Sequence, residues 1–531
     1  MRSIFLIGFM ASGKSEVSRV LAKRLNMPCV DLDSVIEDEA GKTIATLFEE
    51  DGEQGFRLRE RSALEALCDG EAQVIATGGG TPCQPGLLEM MTEAGHVVHL
   101  ATELSTALAR VGANRASRPL LAKPASEIEA LYRSRAPIYR RANITVSTDE
   151  KTPEEVSRDV EYGLNCLKNS SNADVVALRE RSYPVVTNCG DLEKLAAAIS
   201  EYLPKTRCLG LVSDDNVMPL YGARLVTALE AAGYQVVPAT VAAGEGSKTL
   251  DVFGTVVDTM IAGGLDRSSA IVAVGGGVVG DLAGFVASSL YRGVPVVQVP
   301  TTLLAMTDSA IGGKTGINSK HGKNLLGAFW QPAFVWTDPE TLNTLPPRER
   351  RAAFGELVKY ALLDGGLWDL VESLAPKVGA DVLNVDEELT RLVRACANMK
   401  AAIVSEDERE RGLRATLNLG HTVGHAIESS ADYGTILHGE AVALGLLAAC
   451  RVSHRLGLCD AGLEAKVAAV LTAARLDTDL DSWLRTDVLE RMGVDKKRTG
   501  STVRFITVTQ PGDVRLCDIE LSKLTGLLQT D

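Results

Sequence analysis

The stretch around which this chain is organised is NLGHTVGHAIE, residues 418–428, followed by LHGE at residues 437–440. These two segments hold three of the seven histidines in the whole chain. A helix there would put His421 and His425 four residues apart on one face, and His438 returns after a short polar loop. Such a layout can bind a metal ion, whereas a single histidine is more often a core or capping residue. The clustering favours a metal site.

Length and composition indicate an ordinary globular protein. The 531 residues suffice for about three domains, and 45% hydrophobic with 23% charged residues argues against disorder. The net charge of -14 is spread along the chain, which argues against nucleic acid or an anionic membrane as a partner. The ten cysteines form no C-x-x-C pair, and no apolar window suits a secretion signal or a membrane span. We therefore expect reduced thiols and a cytoplasmic location.

A strand, a glycine-rich loop and a helix open the chain. An apolar strand at residues 4–7 runs into GFMASGKS at residues 8–15, and a helical pattern follows. Backbone N–H groups of this loop can wrap phosphate oxygens, Lys14 supplies a positive charge, and the Ser15 hydroxyl can ligate Mg²⁺. Glu16 is an acid beside the loop, in a favourable first-turn position. The predicted nucleotide-binding residues are Ala11, Ser12, Gly13, Lys14 and Ser15.

Four further polar motifs follow within the first 165 residues. CVDLD at residues 29–33 reads as a strand ending in acids, where Asp33 can orient a hydroxyl nucleophile or hold a metal through water. FRLRE at residues 56–60 lies on a charged helix, and a strand leads into GGG at residues 78–80. The polar stretch RASRPLL, residues 115–121, carries arginines that could neutralise a transferring phosphoryl group on closing.

In this order the motifs resemble the shikimate kinase family over essentially all of residues 1–165. The D-x-D, F-R-x-x-E, G-G-G and R-P-L-L elements carry the resemblance, because the phosphate loop alone indicates only nucleotide binding. The resemblance implies phosphorylation of shikimate by ATP with Mg²⁺, Asp33 as the group that positions or deprotonates the 3-hydroxyl, and Arg118 as a catalytic lid arginine that touches ATP. The family usually has Thr where this chain has Glu16. The implied shikimate-binding residues are Asp33, Arg57, Gly79 and Arg135.

A polar segment separates this part from the rest of the chain. KNSSNAD, residues 168–174, has no hydrophobic period and is interpreted as a linker. Strand and helix signals then alternate, which predicts an α/β fold with a parallel sheet, before helices dominate from about residue 346. The predicted parts are a P-loop phosphotransferase domain with a parallel sheet at 1–167, the linker at 168–174, a nucleotide-binding α/β part at 175–345, and a mainly helical metal-binding part at 346–531.

Glycine-rich segments of the α/β part suit anionic ligands. GGGVVGD at residues 275–281 follows an apolar strand and fits G-x-G-x-x-G, which can present backbone N–H groups to a pyrophosphate. No acid follows about twenty residues later, so the fingerprint is incomplete, and Asp214 and Asn216 become candidates for an adenosine ribose. Loops at residues 312–316 and 322–324 each carry a lysine that could grip phosphate or carboxylate, or simply be solvated.

The helical part supplies a third candidate metal ligand. GELVKY at residues 355–360 places Glu356 and Lys359 on one helix face. Glu356, His421 and His438 would form an open site with two histidines and one carboxylate, as expected of catalytic Zn²⁺. Co²⁺ or Fe²⁺ could occupy the same ligands.

These signals together resemble the 3-dehydroquinate synthase family over residues 175–531. The motifs GGGVVGD, GGKTGIN, GELVKY and NLGHTVGHAIE carry the resemblance. It implies NAD⁺-dependent conversion of 3-deoxy-arabino-heptulosonate 7-phosphate to 3-dehydroquinate and phosphate, with NAD⁺ regenerated in each turnover, and a homodimer through this half.

The same resemblance implies the site residues of this half. Those around the substrate are Lys314, Asn324, Lys359, Glu410, Arg414, Asn418 and His425, all except Arg414 being assigned to catalysis. Arg292, Lys400 and Arg414 are expected to bind its phosphate or carboxylate. The NAD-binding set is Asp214, Asn216, Glu245, Lys248, Gly277, Val278, Val279, Gly280, Asp281, Thr301, Thr302, Lys314 and Lys323.

We therefore interpret the chain as a bifunctional enzyme of the shikimate route to aromatic amino acids. One alternative keeps both folds but changes the substrates, joining another small-molecule kinase to a related sugar-phosphate cyclase. A second alternative makes one half a non-catalytic binding module. The charged groups that each chemistry needs are present in both halves, which favours two activities.

Overall fold

The computed structural model describes residues 2–111, 124–167, 172–381, 384–431, 435–492, 498–499 and 502–529. It contains two compact units. The first comprises residues 1–184 and 401–408, and the second comprises residues 185–400 and 409–531. The predicted linker falls on residues 168–171, which lie outside the described residues, and on the start of a strand at Ala173.

The first unit is a parallel sheet with helices between its strands. The strands are β1 (Ser3–Ile7), β2 (Cys29–Asp31), β3 (Val74–Ala76), β4 (Gly95–Ala101), β5 (Ile144–Ser147) and β6 (Ala173–Val176), in the order β2-β3-β1-β4-β5-β6. The helices are α1 (Lys14–Leu25), α2 (Leu32–Ala40), α3 (Ile44–Cys68, broken at Gly52), α4 (Leu87–Ala94), α5 (Leu104–Val111), α6 (Ala125–Tyr139) and α7 (Pro153–Cys166).

The central strand of this sheet positions the phosphate loop. The four apolar residues of β1 are fully buried, as expected of a parallel strand covered on both faces. β1 pairs in parallel with β3 and β4, and β2 pairs in parallel with β3. Because parallel strands end at the same edge, the loop after Ile7, the acid Asp31 and the glycines after Ala76 meet there.

The second unit contains six parallel strands, a hairpin and a largely helical part. Its strands are β7 (Tyr183–Thr187), β8 (Cys208–Asp214), β9 (Gln235–Val241), β10 (Ala270–Gly275), β11 (Val296–Pro300), β12 (Lys314–Ser319), β13 (Gly322–Phe329), β14 (Phe334–Thr337), β15 (Arg498–Thr499), β16 (Thr502–Gln510) and β17 (Asp513–Glu520). The order of the parallel sheet is β7-β14-β11-β10-β8-β9, while β12 pairs antiparallel with β13 and β15-β16-β17 form an antiparallel sheet.

Thirteen helices are assigned in this half of the described chain. They are α8 (Leu195–Tyr202), α9 (Ala223–Ala231), α10 (Leu250–Ala262), α11 (Gly277–Ser289), α12 (Pro347–Leu363), α13 (Trp368–Gly379), α14 (Glu387–Glu406), α15 (His421–Ser430), α16 (His438–Arg455), α17 (Gly462–Ala473), α18 (Leu480–Trp483), α19 (Thr486–Met492) and α20 (Leu521–Leu528). Across the described residues, none of the helices combines the length and apolar character needed to cross a bilayer.

The predicted fold class is confirmed, with two local corrections. The glycine-rich segments predicted as loops around Lys314 and Lys323 are instead the two strands of the β12–β13 hairpin. The part predicted as mainly helical ends in the antiparallel sheet β15-β16-β17. In β16 exposed Arg504 lies between buried Val503 and Phe505, and residues 505–508 are all buried.

Glycines set the spacing of α12, α15 and α16. A Cβ on Gly355 of α12 would lie 2.2 Å from the carbonyl oxygen of Gly439 in α16, and one on Gly445 would lie 1.8 Å from the carbonyl oxygen of Gly420. Backbone therefore contacts backbone at both crossings. The glycine positions also adjoin the predicted metal ligands Glu356, His421 and His438 in sequence, so these crossings determine how closely the ligands approach.

Gly355→Ala is accordingly expected to destabilise the second unit. The added methyl group meets a rigid carbonyl, and overpacking of this kind costs about 1–3 kcal/mol or more. Gly526→Ala is the matched control, because it also lies in a helix but a Cβ there meets nothing within 4 Å. Urea unfolding should show a lower free energy of unfolding for Gly355→Ala only. Equal stability of the two variants would contradict the close helix contact.

Candidate active sites

The first unit encloses a cavity of about 760 Å³ at the carboxyl edge of its sheet. The cavity is lined by the phosphate loop, by residues at and after the ends of β2 and β3, and by residues of α3. The structure thus brings together the predicted residues Ala11, Ser12, Gly13, Lys14, Ser15, Asp33, Arg57, Gly79 and Arg135, and Glu16 also lines the cavity. Arg118 lies outside the described residues.

The phosphate loop has the backbone conformation that such a site requires. Ala11 and Gly13 both have positive φ, 58° and 91°, so the loop turns tightly before α1 begins at Lys14. The Ser15 hydroxyl donates to Asp31 Oδ2 at 2.7 Å. Within the described residues, the buried Ser12 hydroxyl has no hydrogen-bond partner. A polar atom buried in this way fits a loop built for a phosphate ligand.

Asp33 occupies the first turn of α2, because the strand predicted over residues 29–33 ends at Asp31. Its backbone N–H donates to Asp31 Oδ1 at 3.2 Å. Burial, and then the negative charges of Asp31 and Glu60, raise the pKa of Asp33 to about 6. The carboxyl group is therefore poised to exchange a proton near neutral pH.

This pKa predicts a pH dependence for the first unit. If Asp33 must be ionised to accept a proton, kcat/KM should be constant above about pH 6 and fall about tenfold per pH unit below it. The sign follows from the raised pKa, because acid protonates the group sooner than it would an ordinary aspartate. A pH profile of shikimate phosphorylation at saturating ATP tests this. A flat profile down to about pH 5 would exclude Asp33 as the base.

Arg57 is held in place by a buried acid. Its Nη1 donates to Glu60 Oε2 at 2.6 Å, and Glu60 is 1% exposed. Glu60 also accepts hydrogen bonds from Thr81 and Gln84. A Cβ on Gly80 would lie 2.8 Å from Arg57 Nη2, so this glycine leaves room for the guanidinium group. The arginine is thereby fixed facing the cavity, where it can pair with a carboxylate.

In the second unit, the glycine run lies between β10 and α11 as predicted. A Cβ on Gly276 would lie 3.0 Å from Thr302 Cγ2, and one on Gly277 would lie 2.9 Å from Ser309 Oγ. Among the described residues, the buried Thr301 and Ser309 hydroxyls have no hydrogen-bond partner. The helix N-terminus and these hydroxyls fit an anionic cofactor that approaches the backbone closely. Val278, Val279 and Gly280 lie in the first turn of α11.

Four predicted cofactor and substrate residues meet beside this turn. Lys248 is buried, and its Nζ donates to Asp281 Oδ2 at 2.7 Å and to Asn324 Oδ1 at 2.5 Å. Burial raises the pKa of Asp281 to about 6, although the charge of Lys248 opposes this shift. Glu245 accepts a hydrogen bond from Asn318 Nδ2 at 2.7 Å.

The lysines of the β12–β13 hairpin pair with acids of the helical part. Lys314 forms an ion pair with Glu410, and Asn418 Nδ2 donates to Glu410 Oε1 at 2.5 Å. Lys323 Nζ donates to Glu428 Oε1 at 2.7 Å. The structure therefore joins the predicted catalytic residues Lys314, Glu410 and Asn418 in one cluster.

The three clustered histidines converge as the sequence predicts. Ligand atoms of His421, His425 and His438 lie within 4.8 Å of one another. Glu356 Oε1 lies 3.4 Å from Nε2 of His421 and 3.4 Å from Nε2 of His438. His421 and Glu356 are buried. Two imidazoles around a carboxylate fit a divalent transition metal, and His425 is close enough to be a further ligand.

A network of charges adjoins the histidines. Lys359 pairs with Glu356, and its Nζ lies 3.8 Å from Asp308 Oδ1. Lys400 Nζ lies 2.9 Å from the same oxygen, and the Tyr360 hydroxyl donates to it at 3.0 Å. Burial lowers the pKa of Lys400 to about 8, against the opposing charge of Asp308. Both predicted lysines thus lie beside one partly buried acid, Asp308.

Three predicted residues have other surroundings. Arg414 is buried and donates to the Gly312 carbonyl at 3.0 Å. Asp214 Oδ1 accepts hydrogen bonds from the backbone N–H groups of Asn216 and Val217, so this oxygen is used within the turn. Arg292 is exposed beyond the C-terminal end of α11, about 20 Å along the helix from Gly277 at 1.5 Å per residue.

Comparison with known proteins identifies the second unit. Residues 238–352 and 353–498 match the family models of the 3-dehydroquinate synthase N-terminal and C-terminal regions. The 3-dehydroquinate synthase of Citrifermentans bemidjiense is 44% identical over 357 residues, 67% of this chain and 96% of that protein. The chain belongs to the 3-dehydroquinate synthase family. The enzyme of Gloeobacter violaceus is 47% identical over 62% of this chain and 91% of its own length.

The synthase is preceded by a second enzyme. Residues 10–164 match the family model of shikimate kinase. The chain is thus a shikimate kinase fused to a 3-dehydroquinate synthase, a bifunctional enzyme of the shikimate pathway. Both family predictions, and the predicted pair of activities, are confirmed.

Solved structures resemble the synthase unit. A 2-deoxy-scyllo-inosose synthase complexed with carbaglucose-6-phosphate, NAD⁺ and Co²⁺ is 27% identical with a TM-score of 0.60, over 67% of this chain and 99% of that chain. A 2-epi-5-epi-valiolone synthase from Streptomyces hygroscopicus, with NAD⁺ and Zn²⁺ bound, is 28% identical with a TM-score of 0.58, over 66% and 97%.

Sequence reasoning missed several residues that the two enzymes place at these sites. In the kinase, Arg110 lines the cavity and donates to Thr148 Oγ1 at 2.9 Å. In the synthase, Asp308 holds both Lys359 and Lys400, and Glu428 contacts His438. The NLGHTVGHAIE motif contains Glu428 on the same helix face as its histidines, which was an available signal.

Proposed function

We propose a division of labour within the kinase cavity. Lys14 and the backbone of residues 11–15 would bind the ATP phosphates, while Ser15 and Asp31 would hold Mg²⁺. Asp33 would accept the proton of the shikimate 3-hydroxyl as it attacks the terminal phosphoryl group. Arg57, Gly79 and Arg135 would bind the shikimate carboxylate and ring, and Arg118 would close over ATP. The raised pKa of Asp33 and the fixed guanidinium of Arg57 support these roles.

For the synthase, we propose that Glu356, His421 and His438 hold Zn²⁺ or Co²⁺. One observation supports this proposal above all: Nε2 of His421 and Nε2 of His438 each lie 3.4 Å from Glu356 Oε1. Such an ion would polarise a substrate hydroxyl, and NAD⁺ would accept and later return hydride. Two related structures, which contain NAD⁺ with Co²⁺ or Zn²⁺, support this cofactor pair.

The remaining synthase residues would bind cofactor and substrate. The Gly276–Gly277 turn, Lys248, Asp281 and Thr301 would hold the dinucleotide, since they surround the N-terminus of α11. Lys359, Lys400 and Arg414 would bind the anionic groups of the heptulosonate phosphate. The proposed catalytic residues are Lys314, Asn324, Lys359, Glu410, Asn418 and His425, where the Lys314–Glu410–Asn418 cluster could pass protons.

Domain limits and assembly are further parts of the proposal. The domains would have the predicted limits: the kinase at residues 1–167, the NAD-binding part at 175–345 and the metal-binding part at 346–531. The protein would act on small molecules in the cytoplasm as a homodimer through the synthase unit. Ten free thiols suit a reducing compartment. Light scattering that gives the mass of one chain would reject the dimer.

Chelation separates the two activities in one experiment. Both reactions are assayed on purified protein with excess Mg²⁺, after dialysis against a transition-metal chelator, and again after Zn²⁺ or Co²⁺ is added back. Synthase turnover should be lost and then restored, while shikimate phosphorylation is unchanged. A synthase that keeps full activity without bound metal would refute the site. A cyclitol product other than 3-dehydroquinate would refute the substrate assignment.

A further inference from the structure

Glu428 connects the hairpin with the histidine cluster. Its Oε1 accepts a hydrogen bond from Lys323 Nζ at 2.7 Å, and its Oε2 lies 3.1 Å from His438 Nδ1. The other nitrogen of that ring, Nε2, lies 3.4 Å from Glu356 Oε1. His438 is therefore held between two carboxylates, one on each side of its ring.

With a metal ion bound, this geometry would favour one form of the His438 ring. A neutral imidazole carries one N–H and one lone pair. In a metal-bound ring, an Nδ1–H donated to Glu428 would leave the Nε2 lone pair for an ion held between Glu356 and the neighbouring His421. A metal-binding histidine needs this tautomer, and a carboxylate on its other nitrogen orients the ring and makes it a stronger ligand.

The helix position of Glu428 fits this role. Glu428 follows His421 by seven residues and His425 by three on α15, so all three side chains share one face. α15 thus offers one proposed ligand directly and orients another, His438, which belongs to α16. The oxygen of Glu428 not facing His438 is occupied by Lys323, so the carboxylate is restrained from both sides.

We propose that Glu428 is a positioning residue for the synthase metal, acting through His438. The inference rests on the metal site proposed above. Metal affinity would then depend on a residue that does not contact the metal. The β12–β13 hairpin would also affect this affinity, through the hydrogen bond from Lys323 to Glu428.

The test measures Zn²⁺ affinity of the full-length apoprotein by competition with a chromophoric chelator. Glu428→Ala should bind Zn²⁺ about 10- to 100-fold more weakly. Glu428→Gln keeps a carbonyl acceptor for the Nδ1–H group and should lose less affinity than the alanine variant. His438→Ala removes the ligand itself and should lose the most.

Glu440→Gln is the matched control. Glu440 caps the start of α16 through the Leu437 N–H at 2.8 Å and pairs with Arg348, but in the described contacts it does not reach the His438 ring. This variant should bind Zn²⁺ like the wild type. An equal loss in Glu440→Gln and Glu428→Ala would show general loosening of α16 and overturn the proposal.

A spectroscopic measurement separates orientation from stability. With Co²⁺ in place of Zn²⁺, Glu428→Gln should shift the d–d absorption bands, because ring orientation and basicity change around an intact ligand set. If Glu428→Ala and Glu428→Gln match the wild type in affinity and spectrum while His438→Ala loses metal, the role of Glu428 is refuted and the metal site stands. If His438→Ala also binds Zn²⁺ normally, the metal site itself is wrong.

Discussion

His421→Ala should abolish 3-dehydroquinate formation while leaving shikimate phosphorylation unchanged. His421 is buried, and its Nε2 lies 3.4 Å from Glu356 Oε1, so alanine removes one of the three proposed metal ligands. A loss of about 10³-fold or more in kcat/KM is expected, on the order of 4 kcal/mol of transition-state stabilisation. Phosphate release measures the synthase, and the kinase rate of the same sample is the internal control for folding.

His425 supplies the contrasting variant. It lies within the same 4.8 Å cluster, so distance alone allows it to be a ligand. Our assignment gives it substrate handling instead. His425→Ala should therefore lose turnover but keep its metal, whereas His438→Ala should lose both. Equal metal loss in the two variants, by elemental analysis, would make His425 a ligand and refute the assignment.

Asp33→Asn should remove kinase activity and at the same time stabilise the protein. The amide keeps the shape of the side chain but cannot accept the hydroxyl proton, so kcat should fall about 10²- to 10⁴-fold. KM for ATP should change little, because Lys14 and the loop backbone bind the phosphates. The synthase activity of the same sample should equal that of the wild type.

The stability change follows from the sign of the pKa shift. Burial, Asp31 and Glu60 raise the pKa of Asp33 to about 6, so its ionised form is less favourable in the folded protein than in the unfolded chain. Protonated Asp33 stabilises the folded protein at low pH. This contribution is lost as the pH rises from the ordinary pKa of an aspartate through about 6, the raised pKa of Asp33. At pH 7 the neutral amide avoids this cost. The Tm of the kinase unit, identified as the unfolding transition that shifts upward when ATP is added, should therefore increase. The gain should shrink near pH 5, and a lower Tm at pH 7 would contradict it.

Local patterns in the sequence predicted much of both sites. The phosphate loop, the helix pair Glu356 and Lys359, and the spacing of His421 and His425 depend on residues close together in the chain, where helix and strand periodicity applies directly. The structure brings each of these sets together as predicted.

Contacts between distant segments could not be predicted in this way. Asp308 joins Lys400 from 92 residues away, and Lys323 reaches Glu428 across 105 residues. Helical or strand periodicity does not specify such pairs, because they depend on how whole elements pack. The hairpin was missed for a different reason: the glycines of residues 312–316 and Gly322 suggested loops, although Gly316 pairs closely with Gly327 across the two strands.

The glycine contacts between α12, α15 and α16 bear on how this architecture can be redesigned. Because backbone contacts at Gly355 and Gly445 set the spacing of these helices, the positions of Glu356, His421 and His438 should tolerate changes in nearby side chains better than changes at these glycines. A library of variants with altered side chains in the synthase substrate pocket could therefore accept new sugar phosphates while the arrangement of the proposed metal ligands is preserved. One that varies the glycines would yield inactive proteins regardless of substrate.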